Sequence, residues 1–310
     1  MIKNTIAVLI PCLNEGDTIF DTVDSFRKAL IDFDVTIYVY DNNSNDNTVK
    51  EAERAGAVVR YEKIQGKGNV IRRMFGDVDA ELYIIVDGDM TYDPEAAKSM
   101  ISMLVEKNLD MVTGVRVSQG GNTYRFGHKF GNKLLTSIVK NIFGARVSDM
   151  LSGYRVFSRR FVKTFCANSS GFEIETELSV HALTMRMPID EIDTKYFARP
   201  DGSQSKLNTY RDGLRILRVI FELVRDEKPL AFFGFLSLLF IAISFFLANP
   251  IISNFLETGL VPRIPTVILI VGLSISGLLS LGVGLILDSV SKSRREVKRL
   301  AYLGYSKNIS

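Results

Sequence analysis

An aspartate pair stands at the end of a short apolar run. Leu82–Val86 leads into Asp87, Gly88 and Asp89, with Asp93 four residues on. Two carboxylates one residue apart crowd like charge into a turn, and a divalent cation relieves that repulsion. Hard oxygen donors of this kind suit Mg²⁺ or Mn²⁺ shared with the phosphates of a substrate. Asp87 and Asp89 are therefore the expected metal ligands. Another acid, Asp41, closes the run Thr36–Tyr40, where a carboxylate can accept hydrogen bonds from a nucleobase or ribose. Asn45 and Asp46 beyond it read as a helix cap, since such side chains satisfy the free N–H groups at a helix start. Pro11, Asn14 and Glu15 follow the first apolar run and, taken alone, fit an ordinary turn equally well.

Gln65-Gly66-Lys67-Gly68-Asn69 is a glycine-bearing loop before a helix with Arg72 and Arg73. Backbone N–H groups at a helix start favour anions, which makes Lys67 a candidate phosphate contact. The spacing is not that of a Walker loop, and no GxGxxG follows the first strand, which argues against a nicotinamide or flavin dehydrogenase. Further on come Arg116, then Asp149-Met150-Leu151-Ser152-Gly153-Tyr154-Arg155, then Glu173, Glu175 and Glu177. The three glutamates cannot share one helical face, so at most one or two point into a site. Arg199, Ser205 and Lys206 precede a basic, apolar-striped segment, at a height where they can meet a phosphate held at a bilayer surface. Two histidines and two well-separated cysteines, Cys12 and Cys166, leave no ligand set for structural zinc and no disulfide scaffold.

These side chains need elements to hold them. Apolar, β-branched runs at Thr5–Ile10, Thr36–Tyr40, Ala57–Tyr61, Leu82–Val86 and Asp110–Val115 alternate with helical patterns at Thr18–Ile31, Asn47–Ala55, Gly68–Phe75 and Pro94–Lys107. Continuous apolar strands separated by helices predict an α/β domain with a mainly parallel sheet covered on both faces. In such sheets ligands sit beyond the carboxyl ends of the strands, where the polar clusters fall.

The last third differs in kind. Residues 206–310 carry 13 Lys and Arg against 7 Asp and Glu, whereas residues 1–205 carry 25 against 28. Leu230–Ala248 and Ile264–Leu287 are uncharged runs of 19 and 24 residues, each long enough to cross a bilayer. Buried core helices are the weaker reading, because soluble helices rarely stay apolar on every face. Arg211, Arg215, Arg218, Arg225 and Lys228 precede the first run, and Lys292, Arg294, Arg295, Lys298 and Arg299 follow the second. The positive-inside rule then puts both flanks, and the domain before them, in the cytoplasm. The expected organisation is a domain over 1–210, an amphipathic helix over 211–228 that lies on the membrane surface or, in the alternative, packs on the domain itself, a two-helix hairpin over 229–290 and a basic cytoplasmic tail over 291–310.

PCLNE, YDNNSNDNT, VDGDMTYDP, SGYR and RPDGSQSKL, in that order, resemble an inverting family 2 glycosyltransferase of GT-A (Rossmann-like) fold, and more narrowly the polyprenyl-phosphate glycosyltransferases that include dolichyl-phosphate mannose synthase. The resemblance implies transfer of a hexose or N-acetylhexosamine from a nucleotide-sugar, a UDP-sugar being favoured, to a polyprenyl phosphate at the cytoplasmic membrane face. It implies that Pro11, Asn14, Glu15 and Asp41 surround the donor nucleoside, and that Asp87 lies near ribose and metal. Asp89 would coordinate the cation on the diphosphate. It further implies Arg116, Ser152 and Arg155 near sugar and acceptor phosphate, Asp149 lining the same region, and Arg199 and Lys206 on phosphates from a closing loop. Thr91 stands where mannose synthases carry Gln. The alternative is a membrane-anchored family 2 enzyme acting on a saccharide hydroxyl, with Asp149 as its base. Processive enzymes of that kind usually carry QxxRW, and this chain has no Trp. No nucleic-acid partner is expected; a homo-oligomer and a flippase partner stay open.

Overall fold

The structure is a computed structural model that describes residues 5–118, 147–167, 169–171, 173–198, 218, 221–222, 224–261 and 263–305. Arg199, Ser205, Lys206 and most of the expected amphipathic helix lie outside the described residues.

Among the described residues seven strands form one sheet. They are β1 (Ile6–Cys12), β2 (Val35–Asp41), β3 (Val58–Tyr61), β4 (Leu82–Ile85), β5 (Met111–Ser118), β6 (Arg155–Ser158) and β7 (Ile189–Tyr196). The spatial order is β3-β2-β1-β4-β6-β5-β7. Among these strands β6 runs against its neighbours, β4 and β5, and the other pairings are parallel. The five strands read from the sequence are present, and β6 and β7 extend the sheet beyond them. The chain winds outward from β1 to β3 and then crosses to β4 on the other side of β1. That reversal is the switch point where ligands bind in open α/β sheets.

Helices cover both faces: α1 (Ile19–Ala29), α2 (Thr48–Arg54), α3 (Lys67–Asp77), α4 (Ala96–Glu106), α5 (Arg159–Thr164) and α6 (Ile174–Thr184). Alternate residues of β1 serve opposite faces, as the pleat requires. Ile6, Val8 and Ile10 join Val23 and Phe26 of α1 and Met100, Ile101 and Leu104 of α4. Ala7 and Leu9 join Ile71 and Met74 of α3, Phe157 and Phe161, and Ile174 and Leu178 of α6. A strand buried on both faces must be apolar throughout, which is why β1 shows no polar alternation.

Two long helices follow, α7 (Pro229–Thr258) and α8 (Ile264–Gly304). Their most apolar windows have mean hydropathy 2.6 and 2.3, and both helices are long and apolar enough to cross a membrane. α7 continues past Pro250 to Thr258, so the connection shrinks from the expected 249–263 to five residues, opened by Gly259 in a left-handed C-cap. Between the two helices Ser244 and Ser274 share a hydroxyl hydrogen bond of 2.7 Å. Gly277 and Gly284 lie against Ile241 and Phe233, where a side chain would collide. Phe245, Phe246 and Leu256 face outward.

The chain divides into two compact units, Met1–Arg218 with Lys298–Ser310, and Val219–Val297. The expected basic tail is thus helical as far as Gly304, and its end belongs to the first unit. Tyr302 is buried in that unit's core and donates from its phenol to Asp110 Oδ2 at 2.7 Å. Asp110, just before β5, also accepts Ser158 Oγ and both arms of Arg160.

Candidate active site

The ends of β1, β2 and β4 converge because register aligns them: Cys12 lies beside Asp41 and Leu9 beside Ile85. The loops after β1 and β2 are laced together. Asn14, in the left-handed region at φ 52°, donates its N–H to Ser44 Oγ and accepts Asn45 N–H on its side-chain oxygen. Glu15 N–H reaches Thr48 Oγ1, and Gly16 N–H reaches Asp46 Oδ2. Asp46 also accepts Thr48 N–H at the start of α2, as a capping side chain does, whereas Asn45 gives its backbone N–H to Asn14 and the N-cap position falls on Asn47. Pro11 pairs across to Tyr40.

Asp41 is buried. Its Oδ2 accepts Ser44 N–H, whereas Oδ1 has no hydrogen-bond partner. A buried acceptor without a donor is costly and marks a place for a ligand. Asn42, which sequence reasoning passed over, supports the next loop: it donates to the carbonyls of Glu62 and Ile64 and accepts Gly66 N–H. Gly66 and Gly68 must be glycines here, because an added Cβ would come 2.1 and 2.2 Å from the carbonyl oxygens of Ser170 and Ser169.

That close approach delivers Lys67 into the site. Its Nζ lies 2.5 Å from Asp87 Oδ1 and 2.7 Å from Glu175 Oε1. Burial works against the ammonium, but the two carboxylates overcome it and hold the lysine above its ordinary range. Burial likewise raises Glu175, partly offset by Lys67, and Glu175 Oε2 has no hydrogen-bond partner. Of the three glutamates only Glu175 meets Lys67. Glu173 accepts Gly171 N–H and Glu177 accepts Ser169 N–H, so those two shape their own loop.

Gly88 threads between Cys12 and α1, its carbonyl taking the hydroxyls of Thr18 and Thr22. Asp89 is buried, and its Oδ1 accepts Thr91 Oγ1 at 2.6 Å. Thr91 thereby orients Asp89. Through its carbonyl Thr91 also holds Phe197 N–H at the exit of β7. Among the described residues no cluster of three or more His, Cys, Asp or Glu could hold a metal alone. Two aspartates fit an ion that takes its remaining ligands from substrate phosphates and water.

Arg116, on β5, and Asp149 form a two-pronged ion pair, Nε to Oδ2 at 2.7 Å and Nη2 to Oδ1 at 2.8 Å. The Tyr196 ring lies 5.6 Å from the guanidinium carbon. Burial raises the phenols of Tyr92 and Tyr196 beside it, keeping them neutral. Asp149 is therefore held as a counterion, which is not the geometry of a base awaiting a proton. Ser152 is fully buried, its hydroxyl spent on the carbonyl of Gly114. Arg155 is fully buried as well: its guanidinium donates to the carbonyls of Met150 and Ser152 and to Ser179 Oγ. The resemblance implied that both lie near the sugar and acceptor phosphate; here both side chains are buried. Both brace the turn 150–154.

An open, mostly parallel sheet with paired aspartates and an orphaned acid at its switch point is an arrangement of GT-A-like fold. The chain belongs to glycosyl transferase family 2, whose model matches residues 7–165. It is 32% identical over 234 residues to glycosyltransferase AglJ of Haloferax volcanii, covering 74% of this chain and 76% of that one. It is 24% identical over 233 residues to the dolichol-phosphate mannosyltransferase of Pyrococcus furiosus, covering 72% and 64%. Glucosyl-3-phosphoglycerate synthase of Mycobacterium tuberculosis, solved with Mn²⁺, uridine diphosphate and phosphoglyceric acid, superposes with TM-score 0.57 at 22% identity, covering 71% of this chain and 78% of that one.

Proposed function

We propose that this glycosyltransferase moves a hexose or N-acetylhexosamine, with inversion, from a UDP-sugar to a polyprenyl phosphate at the cytoplasmic face of a membrane. The observation that carries the reading is Arg116, pre-oriented by Asp149 at the end of β5, in a chain that continues into two helices able to cross a bilayer. Similarity to a dolichol-phosphate mannosyltransferase supports the lipid acceptor.

In this reading Asp41 binds the nucleoside through its orphaned oxygen, with Pro11, Asn14 and Glu15 shaping that end of the cleft. Asp87 and Asp89 would hold Mg²⁺ or Mn²⁺, which when bound neutralises charge on the leaving diphosphate. Lys67, held between Asp87 and Glu175, adds fixed positive charge beside the donor. Arg199, Ser205 and Lys206 are assigned to the phosphates. Arg116 orients the acceptor phosphate for in-line attack on the anomeric carbon. A phosphate monoester is largely dianionic near neutral pH, with a second pKa of about 6, so it attacks without a general base and positioning dominates. The pairing of Asp149 agrees with this, since a hydroxyl acceptor would need that carboxylate unencumbered.

The test is an activity screen on detergent-solubilised protein, pairing UDP- and GDP-sugars with undecaprenyl phosphate, with Mn²⁺ or Mg²⁺ and with chelator. A glycosylated lipid phosphate that disappears with chelator is the expected product. Turnover on a saccharide acceptor with none on any lipid phosphate overturns the acceptor assignment.

A further inference from the structure

One buried cation has no place in this reaction scheme. Arg155 is 1% exposed, yet its guanidinium meets only neutral acceptors: the carbonyls of Met150 and Ser152, Ser179 Oγ at 2.8 Å and, at 3.5 Å, Met111 Sδ. Burial lowers its basicity, and the charges of Glu175 and Asp149 resist this without pairing with it directly. A buried charge without an ion-paired partner is expensive, so its position calls for a reason.

The reason lies in what Arg155 joins. Two of its bonds go to the turn 150–154 and one to Ser179 on α6, whose hydroxyl also donates to the carbonyl of Glu175. The turn carries Gly153, whose N–H is fixed by Tyr92 Oη at 2.9 Å. Gly153 abuts Asp87: a Cβ built there would lie 2.6 Å from Oδ2 and 3.0 Å from Cγ. The other oxygen of Asp87 is taken by Lys67, and Lys67 is held by Glu175 on α6. The contacts therefore close into a ring, from Arg155 through Gly153, Asp87, Lys67, Glu175 and Ser179 back to Arg155. Asp87 is the ring's most exposed side chain, at 30%.

We propose that this ring fixes the Asp87 carboxylate for the donor's metal-bound diphosphate, with Arg155 as a positioning residue that acts through the Gly153 turn rather than as a ligand of either phosphate. The proposal rests on the reading that Asp87 and Asp89 share a cation with a nucleotide diphosphate. It differs from the role the resemblance gave Arg155. Arg and Lys are not interchangeable here, because only the planar fork reaches the turn and α6 at once.

The experiment measures binding of UDP with Mn²⁺ by titration calorimetry, the Mn²⁺ electron paramagnetic resonance spectrum, and steady-state kinetics, on wild type, G153A, R155K and S179A. Thermal melting of each variant reports folding. Gly153 is not in the left-handed region, so alanine adds one methyl against Asp87 without backbone strain. G153A should melt like wild type but bind UDP–Mn²⁺ about 10- to 100-fold more weakly, the range for outer-shell partners of metal ligands, with an altered Mn²⁺ spectrum. R155K and S179A should weaken the same binding and lower kcat while leaving KM for the lipid phosphate unchanged. Wild-type affinity in G153A overturns the proposal. So does R155K with normal UDP–Mn²⁺ affinity and a raised lipid-phosphate KM, which would make Arg155 an acceptor ligand. Should R155K fail to fold, G153A and S179A decide. Failure of wild type to bind UDP–Mn²⁺ would instead strike the donor reading beneath it.

Discussion

Asp149 separates the two kinds of acceptor. As a base for a hydroxyl it would contribute about 10²- to 10⁴-fold, the usual range for positioned proton transfer. As the counterion that holds Arg116 it contributes less. D149N is expected to lower kcat/KM for the lipid phosphate about tenfold through KM, the scale of one charge-assisted hydrogen bond, with the shape of the pH–rate profile unchanged. Loss of one limb of that profile would reassign it as a base. D89N is expected to lower transfer by about 10² or more, since it removes a charge that positions leaving-group stabilisation, with the melting temperature within a few degrees of wild type. At this scale the placement of Asp41, Asp87 and Asp89 at or just beyond strand ends was readable, because each follows an apolar run. For Ser152 and Arg155 the resemblance implied a place near the sugar and acceptor phosphate, and nothing local in the sequence signals that both side chains are buried, with Arg155 hydrogen-bonded to neutral acceptors. The meeting of Lys67 with Glu175, residues 108 positions apart in the chain, had no local signal at all.

Among the elements, β1 to β5 and the helices between them were legible, because strands buried on both faces are apolar throughout and helices show their stripe. β6 escaped because it opens with Arg155, and β7 because four of its eight residues, Asp190, Glu191, Asp193 and Lys195, are charged and much of it is half-buried. α6 hides its face differently. All but two of its residues are buried, with His181 wedged edge-on against Phe161 and Phe165. Burial drives His181 down to about 3 from its ordinary 6.5, so it is neutral in the folded protein. The unfolded chain then binds the extra proton first as pH falls. This histidine therefore withdraws stability progressively below pH 6.5, completing near pH 3. Thermal melts of H181F against wild type between pH 7 and 4.5 should show a shallower decline for the variant; parallel curves would mean that the imidazole is not the group responsible.

At the scale of the molecule, the chain's two cysteines become reporters. Cys12 is buried beneath Gly88, whereas Cys166 is exposed on the catalytic unit. A membrane-impermeant maleimide is expected to label inverted vesicles, and to label intact cells only after permeabilisation, with C166S abolishing the signal. Labelling of intact cells would reverse the cytoplasmic orientation that the basic flanks of the hairpin favour. Both apolar helices were legible from length and composition alone. That Tyr302 returns to the core of the first unit was not, because one tyrosine in a basic stretch has no period to betray it.

That return governs the order in which the protein can be completed. Tyr302 closes on Asp110 across 192 residues, and both apolar helices intervene between them. During synthesis, then, the catalytic unit emerges with its last core position empty and the Asp110–Arg160 pair lacking its phenolic partner. It waits in that state while the hairpin is made. The core of the first unit can therefore be completed only after both apolar helices have been made.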